Sequence, residues 1–143
     1  MSTTYDTDFY AWANEQAMLL RSGKLAEADI EHIAEEIESM GRTEKRELVN
    51  RLAVLLAHLL KWKFQPNLRS RSWRLTIKEQ RIAVADHIAD NPSLQSKTEE
   101  AMTTAYRSAV IEAAKETAID EDGFPSACPW TFAVATDAEF WPD

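Results

Sequence analysis

Asp29, His32, Glu35 and Glu36 fall within two helical turns, and carboxylates with an imidazole at that spacing can hold a metal ion between helices. The spacing fits poorly. Helical di-metal sites use Glu followed by His three residues later, and none of His32, His58 and His87 has Glu three residues before it. A solvated acidic face with an incidental histidine is the simpler reading, so neither metal nor cofactor is expected. Glu44, Arg51 and His58 recur at intervals of seven beside Leu48, Leu55 and Trp62. On one continuous helix they would line the edge of an apolar stripe. Buried polar groups left without partners cost about 1–3 kcal/mol each, so these three should engage Glu79, Gln80 or Arg81 from the following helix. The result is either a closed polar network or a cleft lined by Trp62 and Trp73. Only the cleft would suit a small-molecule-binding or metal-dependent enzyme at Glu44, Arg51, His58 and Arg81.

A third constellation interleaves cations with aromatics: Lys61, Trp62, Lys63, Phe64, then Arg69, Arg71, Trp73 and Arg74. Phosphate contact with base stacking uses these residue types. Trp62 and Trp73 continue apolar stripes, however, which predicts core positions for both rings and leaves the cations as a basic connection. Nucleophilic catalysis finds no support: Cys128 sits between Ala127 and Pro129 with no His or base close in sequence, and three Gly in the whole chain leave no phosphate-cradling loop. Cys128 reads as a packing residue.

Charge is distributed in three blocks. Residues 1–41 hold nine acids against Arg21 and Lys24, a net of −7. Residues 42–82 hold eleven bases against Glu44, Glu47 and Glu79, a net of +8. Residues 83–143 hold twelve acids against three bases, a net of −9. The basic middle either pairs inside the fold or faces a partner. With a total of −8, an extended polyanion such as nucleic acid would meet repulsion outside the patch, whereas a compact acidic protein surface could dock locally. Lys63, Arg69, Arg71, Arg74 and Lys78 are the candidate contacts.

Those side chains must be carried by helices. Low Gly content with abundant Ala, Leu, Glu, Lys and Arg disfavours an all-β fold. Phe9, Trp12, Ala13, Gln16, Leu19 and Leu20 make one helix face, with Asp6 or Thr7 as N-cap and Gly23 as the stop. Asp29 caps a second stripe of Ile30, Ile33, Ile37 and Met40. Beyond Gly41 the spacing resumes through Leu48, Leu52, Leu55, Leu59 and Trp62, leaving open one kinked helix or two successive ones, stopped by Pro66. Ser70 or Ser72 starts a third helix with Trp73, Ile77, Val84 and Ile88, ending at Asn91-Pro92. Ser93 or Ser96 starts a fourth, in which Ala101, Ala105, Ala109 and Ala113 form a smooth face. Trp130, Phe132, Phe140 and Trp141 populate the tail. The expected architecture is an all-α single domain over 1–143, a bundle of four or five helices with the aromatic tail 120–143 packed across it. The longest apolar run, Leu52 to Leu60, is about half the roughly 20 residues that span a bilayer. With one Cys and no opening signal pattern, the expected compartment is the cytoplasm.

Several uncommon residues then recur in a specific order: Asp8-Phe9-Tyr10 with Trp12, Glu35-Glu36-Ile37-Glu38 through Met40-Gly41-Arg42, His58-Leu59-Leu60-Lys61-Trp62 with Gln65-Pro66, and Ser72-Trp73 with Ile77 and Arg81. Together with the turn at 92–94 and the Phe124-Pro125 to Pro129 segment, they make the chain resemble the bacterial domain of unknown function family twenty-nine over nearly its whole length. The resemblance implies an α-helical fold and transfers no catalytic residue, substrate or cofactor. The function expected is a non-enzymatic protein-interaction module that presents the basic segment to an acidic partner, its oligomeric state left open.

Overall fold

The computed structural model describes residues 2–143, with side chains from Thr4 onward. It is all-α, with no strand among the described residues. Six helices follow in order: α1 (Ser2–Thr7), α2 (Phe9–Arg21), α3 (Ile30–Phe64), α4 (Arg71–Asp90), α5 (Thr98–Glu116) and α6 (Phe132–Ala135). Residues 1–43 and 44–143 form two compact units. Gly41 neither ends nor splits the helix there, because α3 continues through it to Phe64.

In the first unit, Asp8 rather than Asp6 or Thr7 caps α2, its carboxylate accepting from the Ala11 N–H at 3.0 Å. Gly23 adopts φ +72°, the left-handed conformation that ends helices and favours glycine. Trp12, Gln16 and Leu19 are buried as their spacing predicts, but Phe9 and Leu20 are exposed. The stripe expected on the next helix holds only at half-buried Ile33, since Ile30, Ile37 and Met40 are 52%, 61% and 66% exposed. The covered side of α3 instead carries Asp29, His32, Ile33 and Glu36. The reason is chemical: Tyr5 and Trp12 pack over that side and satisfy its polar atoms with their own hydroxyl and indole N–H.

The second unit is built as predicted along its centre. Leu48, Leu52, Leu55 and Leu59 of α3 are fully buried, joined by Ile77 and Val84 of α4 and by Ala101, Ala105, Ala109 and Ala113 of α5. Ser70 caps α4 by accepting from the Trp73 N–H at 3.1 Å, and Asn91 follows its last turn. The fourth long helix starts later than Ser93 or Ser96, because Pro92–Lys97 first form a 3₁₀ turn. Phe124 and Ala135 enter the core from the tail, with Trp130, Phe132 and Trp141 packed against it. Trp62 and Trp73 are half-buried and not core residues. Trp62 lies at the core's edge, its ring 4.9 Å from Trp141, and both Trp62 and Trp73 carry a cation on the ring face: Arg69 at 5.0 Å from Trp62 and Lys61 at 5.1 Å from Trp73.

Candidate functional site

The Ser70 cap fixes where α4 begins and therefore which residues point outward. Arg71, Leu75, Lys78 and Ile82 are spaced by four, three and four residues, so they share one face. All four are exposed, Leu75 by 44% and Ile82 by 63%. Arg74 lies half-buried beside them. The side chains of Arg71, Arg74 and Lys78 have no ion-pair or hydrogen-bond partner among the described residues. One hollow of about 450 Å³ is lined by Arg71, Ser72, Leu75, Thr76 and Glu79. A second, of about 310 Å³, lies one to two turns further along the helix.

The other two candidate contacts are engaged by the chain itself. Arg69 donates from Nε to the Trp62 carbonyl at 2.7 Å and from Nη2 to the Pro142 carbonyl at 3.2 Å. Lys63 is half-buried with its ammonium 5.8 Å from the Phe64 ring centre.

Glu44, Arg51, His58 and Arg81 each take a different partner. The Glu44 carbonyl accepts from His87 Nε2 at 2.8 Å, and its carboxylate stands 3.6 Å from the same nitrogen. Arg51 pairs with Glu47, one turn earlier, at 2.8 Å. His58 Nδ1 donates to the Val54 carbonyl at 2.9 Å, and burial pushes its pKa below the usual histidine value. Arg81 is buried beneath the tail, donating to the carbonyls of Ala135 and Phe140.

Two constellations were less visible in sequence. Lys61, read as one of several loop cations, is only 1% exposed and pairs at 2.9 Å with Glu116, 55 positions later. Its place directly after Leu59-Leu60 is the one available signal. In the first unit, Asp29 and His32 join at 2.7 Å, and the indole of Trp12 donates to the same carboxylate oxygen at 3.0 Å. The bond from His32 holds Asp29 below the usual carboxylate range and, reciprocally, raises the imidazole. The Tyr5 ring stacks on His32 with centroids 3.9 Å apart, and its hydroxyl donates to Glu36 at 2.5 Å, a bond that pushes the phenol up to about 12. Buried Gln16 accepts from the Asp29 N–H at 2.7 Å. The acidic turn is thus a hydrogen-bonded aromatic seat. Among the described residues, no group of three or more His, Cys, Asp and Glu is arranged to hold a metal ion.

Cys128 lines a further hollow of about 420 Å³ with Met102, Tyr106 and Trp130. Its thiol donates to the Trp130 carbonyl at 3.2 Å, and burial raises its pKa, which lowers the thiolate fraction that nucleophilic chemistry needs.

No described helix is long and apolar enough to cross a membrane. Comparison with curated proteins and with solved structures returned no match. Comparison with family models matched residues 4–141, which include the aromatic seat, the basic face of α4 and the tail carbonyls that hold Arg81. The chain therefore belongs to the family described as domain of unknown function DUF29.

Proposed function

We propose that this chain is a protein-interaction module whose contact surface is the outward face of α4, and that its partner presents an acidic surface with exposed apolar side chains. The observation that carries this reading is the combination on one face of free cations at Arg71 and Lys78 with exposed Leu75 and Ile82. Apolar groups supply the area whose burial drives association, while unpaired cations favour one sign of partner and speed encounter. Each cation already pairing within the chain would contribute less. Lys45, for example, bonds Glu100 and lowers that carboxyl's pKa, so it is not counted.

The test compares the wild-type chain with Arg71→Glu/Arg74→Glu/Lys78→Glu in affinity capture from the native host, followed by titration of the purified captured protein against both. The expected partner is acidic, binds about tenfold more weakly to the triple variant and loses affinity as salt rises. The melting temperature of the variant should stay within a few degrees, because none of the three side chains holds a structural bond. Equal affinity of the two chains for the captured protein, or affinity indifferent to salt, refutes the reading.

A further inference from the structure

The second unit buries two cations and neutralises one of them. Lys61 has Glu116. Arg81 is 5% exposed, and no carboxylate lies within ion-pair distance among the described residues. Its Nε and Nη2 donate to the carbonyls of Ala135 at 2.9 Å and Phe140 at 2.8 Å, and the guanidinium lies 5.3 Å from the Trp141 ring centre. Nη1 is buried with no partner at all. Asp137 is the acid whose field reaches Arg81, but its Oδ1 accepts from the Glu139 N–H at 2.9 Å. Dipoles of two carbonyls orient the cation without cancelling its charge, and a buried charge left so is costly unless a counter-ion completes it.

Arg81 also lines the cavity of about 310 Å³ together with Lys78, Ile82, Ala85, Thr136 and Ala138. That volume sits at the lower end of the range for small-molecule sites, which is roughly 300–1,000 Å³. Lys78 adds a second unpaired cation, while Ile82, Ala85 and Ala138 give apolar walls. The Thr136 hydroxyl is already donated to the Phe132 carbonyl at 2.7 Å and Arg81 Nη1 is closed off from solvent, so the accessible unspent donor is the Lys78 ammonium, with the uncancelled charge of Arg81 beside it. A small inorganic anion would leave the apolar walls unused, and a neutral apolar molecule would leave both charges unanswered. We propose that this cavity binds a short- to medium-chain monocarboxylate, with its carboxylate bonded by Lys78 and stabilised by the charge of Arg81, and its alkyl chain against Ile82, Ala85 and Ala138.

Hexanoate is a suitable probe, titrated calorimetrically and by tryptophan fluorescence, for which Trp141 beside Arg81 is a built-in reporter. Saturable binding near one molecule per chain is expected, with neither hexanol nor sulfate reproducing it. Lys78→Gln should weaken hexanoate about tenfold, and Ile82→Glu, which places a carboxylate among the walls, should abolish binding while both variants keep the wild-type circular dichroism. Arg81→Gln should also abolish it, and the two surface variants decide the matter if that chain does not fold. Arg71→Glu/Arg74→Glu should bind hexanoate as wild type does, which separates this site from the Arg71 end of the docking face, Lys78 and Ile82 belonging to both. No saturable signal, an equal response to hexanol or sulfate, or unchanged affinity in both Lys78→Gln and Ile82→Glu overturns the proposal. A Glu-Leu peptide that displaces hexanoate and binds more tightly also overturns it, by assigning the cavity to a partner's side chain.

Discussion

Glu116→Ala should destabilise the protein more than Lys61→Met does, although both delete the same ion pair. The asymmetry comes from exposure: Lys61 is 1% and Glu116 49% exposed. Removing the glutamate strands an ammonium in the interior with little beyond the Trp73 face for company, whereas removing the lysine returns a carboxylate to water. A fully buried pair that loses one partner costs about 3–5 kcal/mol. Because water reaches the Glu116 end, roughly 1–3 kcal/mol is the expected cost of Glu116→Ala. Methionine retains most of the lysine stem's volume, so Lys61→Met should remain within about 1 kcal/mol of wild type. On the Lys61→Met background, Glu116→Ala should add less than about 0.5 kcal/mol, the usual effect of an exposed substitution. Urea unfolding followed by tryptophan fluorescence measures all four chains, with Trp73 reporting close to the change. A loss of 1 kcal/mol corresponds to roughly 3–4 °C in melting temperature for a chain of this size, so calorimetry gives an independent check. If Lys61→Met is as damaging as Glu116→Ala, or if the glutamate can be removed at no cost from the wild-type chain, the interior ammonium does not depend on Glu116 and the reasoning fails.

Gly41→Ala should stabilise α3 by about 0.5–1 kcal/mol, since Gly41 lies inside a continuous helix and an added Cβ would meet nothing within 4 Å; chemical denaturation reads this directly, and a loss of stability would mean that the helix needs glycine there. Histidine titration by NMR should place His32 above and His58 below the usual value of 6.5. The His32 contribution to stability should be complete below 6.5 and fade as pH rises through its raised folded value. That of Asp29 should hold above its usual 3.8 and fade as pH falls through its lowered folded value. His32→Gln should therefore remove the alkaline limb of the profile, and an unchanged limb would show that the pair is not its source.

Periodicity carried the second unit because there the apolar residues face one another: the α3 leucines and the four α5 alanines are buried at the predicted spacing. It misled in the first unit, where Ile30, Ile37 and Met40 form a regular stripe yet lie exposed. Hydropathy assigns low burial to Asp29, His32 and Glu36. Their covering by Tyr5 and Trp12 depends on individual hydrogen bonds that no periodic pattern records. The polar candidates divide for a related reason. Glu44, Arg51 and His58 do share a seven-residue repeat, but each finds a partner nearer than the others. Two of those partners, the Val54 carbonyl and Glu47, lie within one turn. The sequence offers Arg81 only as a possible partner for Glu44, Arg51 and His58. Its actual partners are not legible there, because main-chain carbonyls look the same at every position of a sequence.

That Arg81 is held by main-chain atoms also bears on how the protein comes to be folded. The two acceptors lie 54 and 59 positions later in the chain. During synthesis at about 5–20 residues per second, the guanidinium waits several seconds after it is made before either acceptor exists. The helices that surround it can be completed meanwhile, but the arginine cannot be enclosed favourably until residue 140 has emerged. Closure of this unit therefore waits for residues 135 to 140, and a nascent chain stopped short of Ala135 would hold its helices around a cation with neither of its native acceptors.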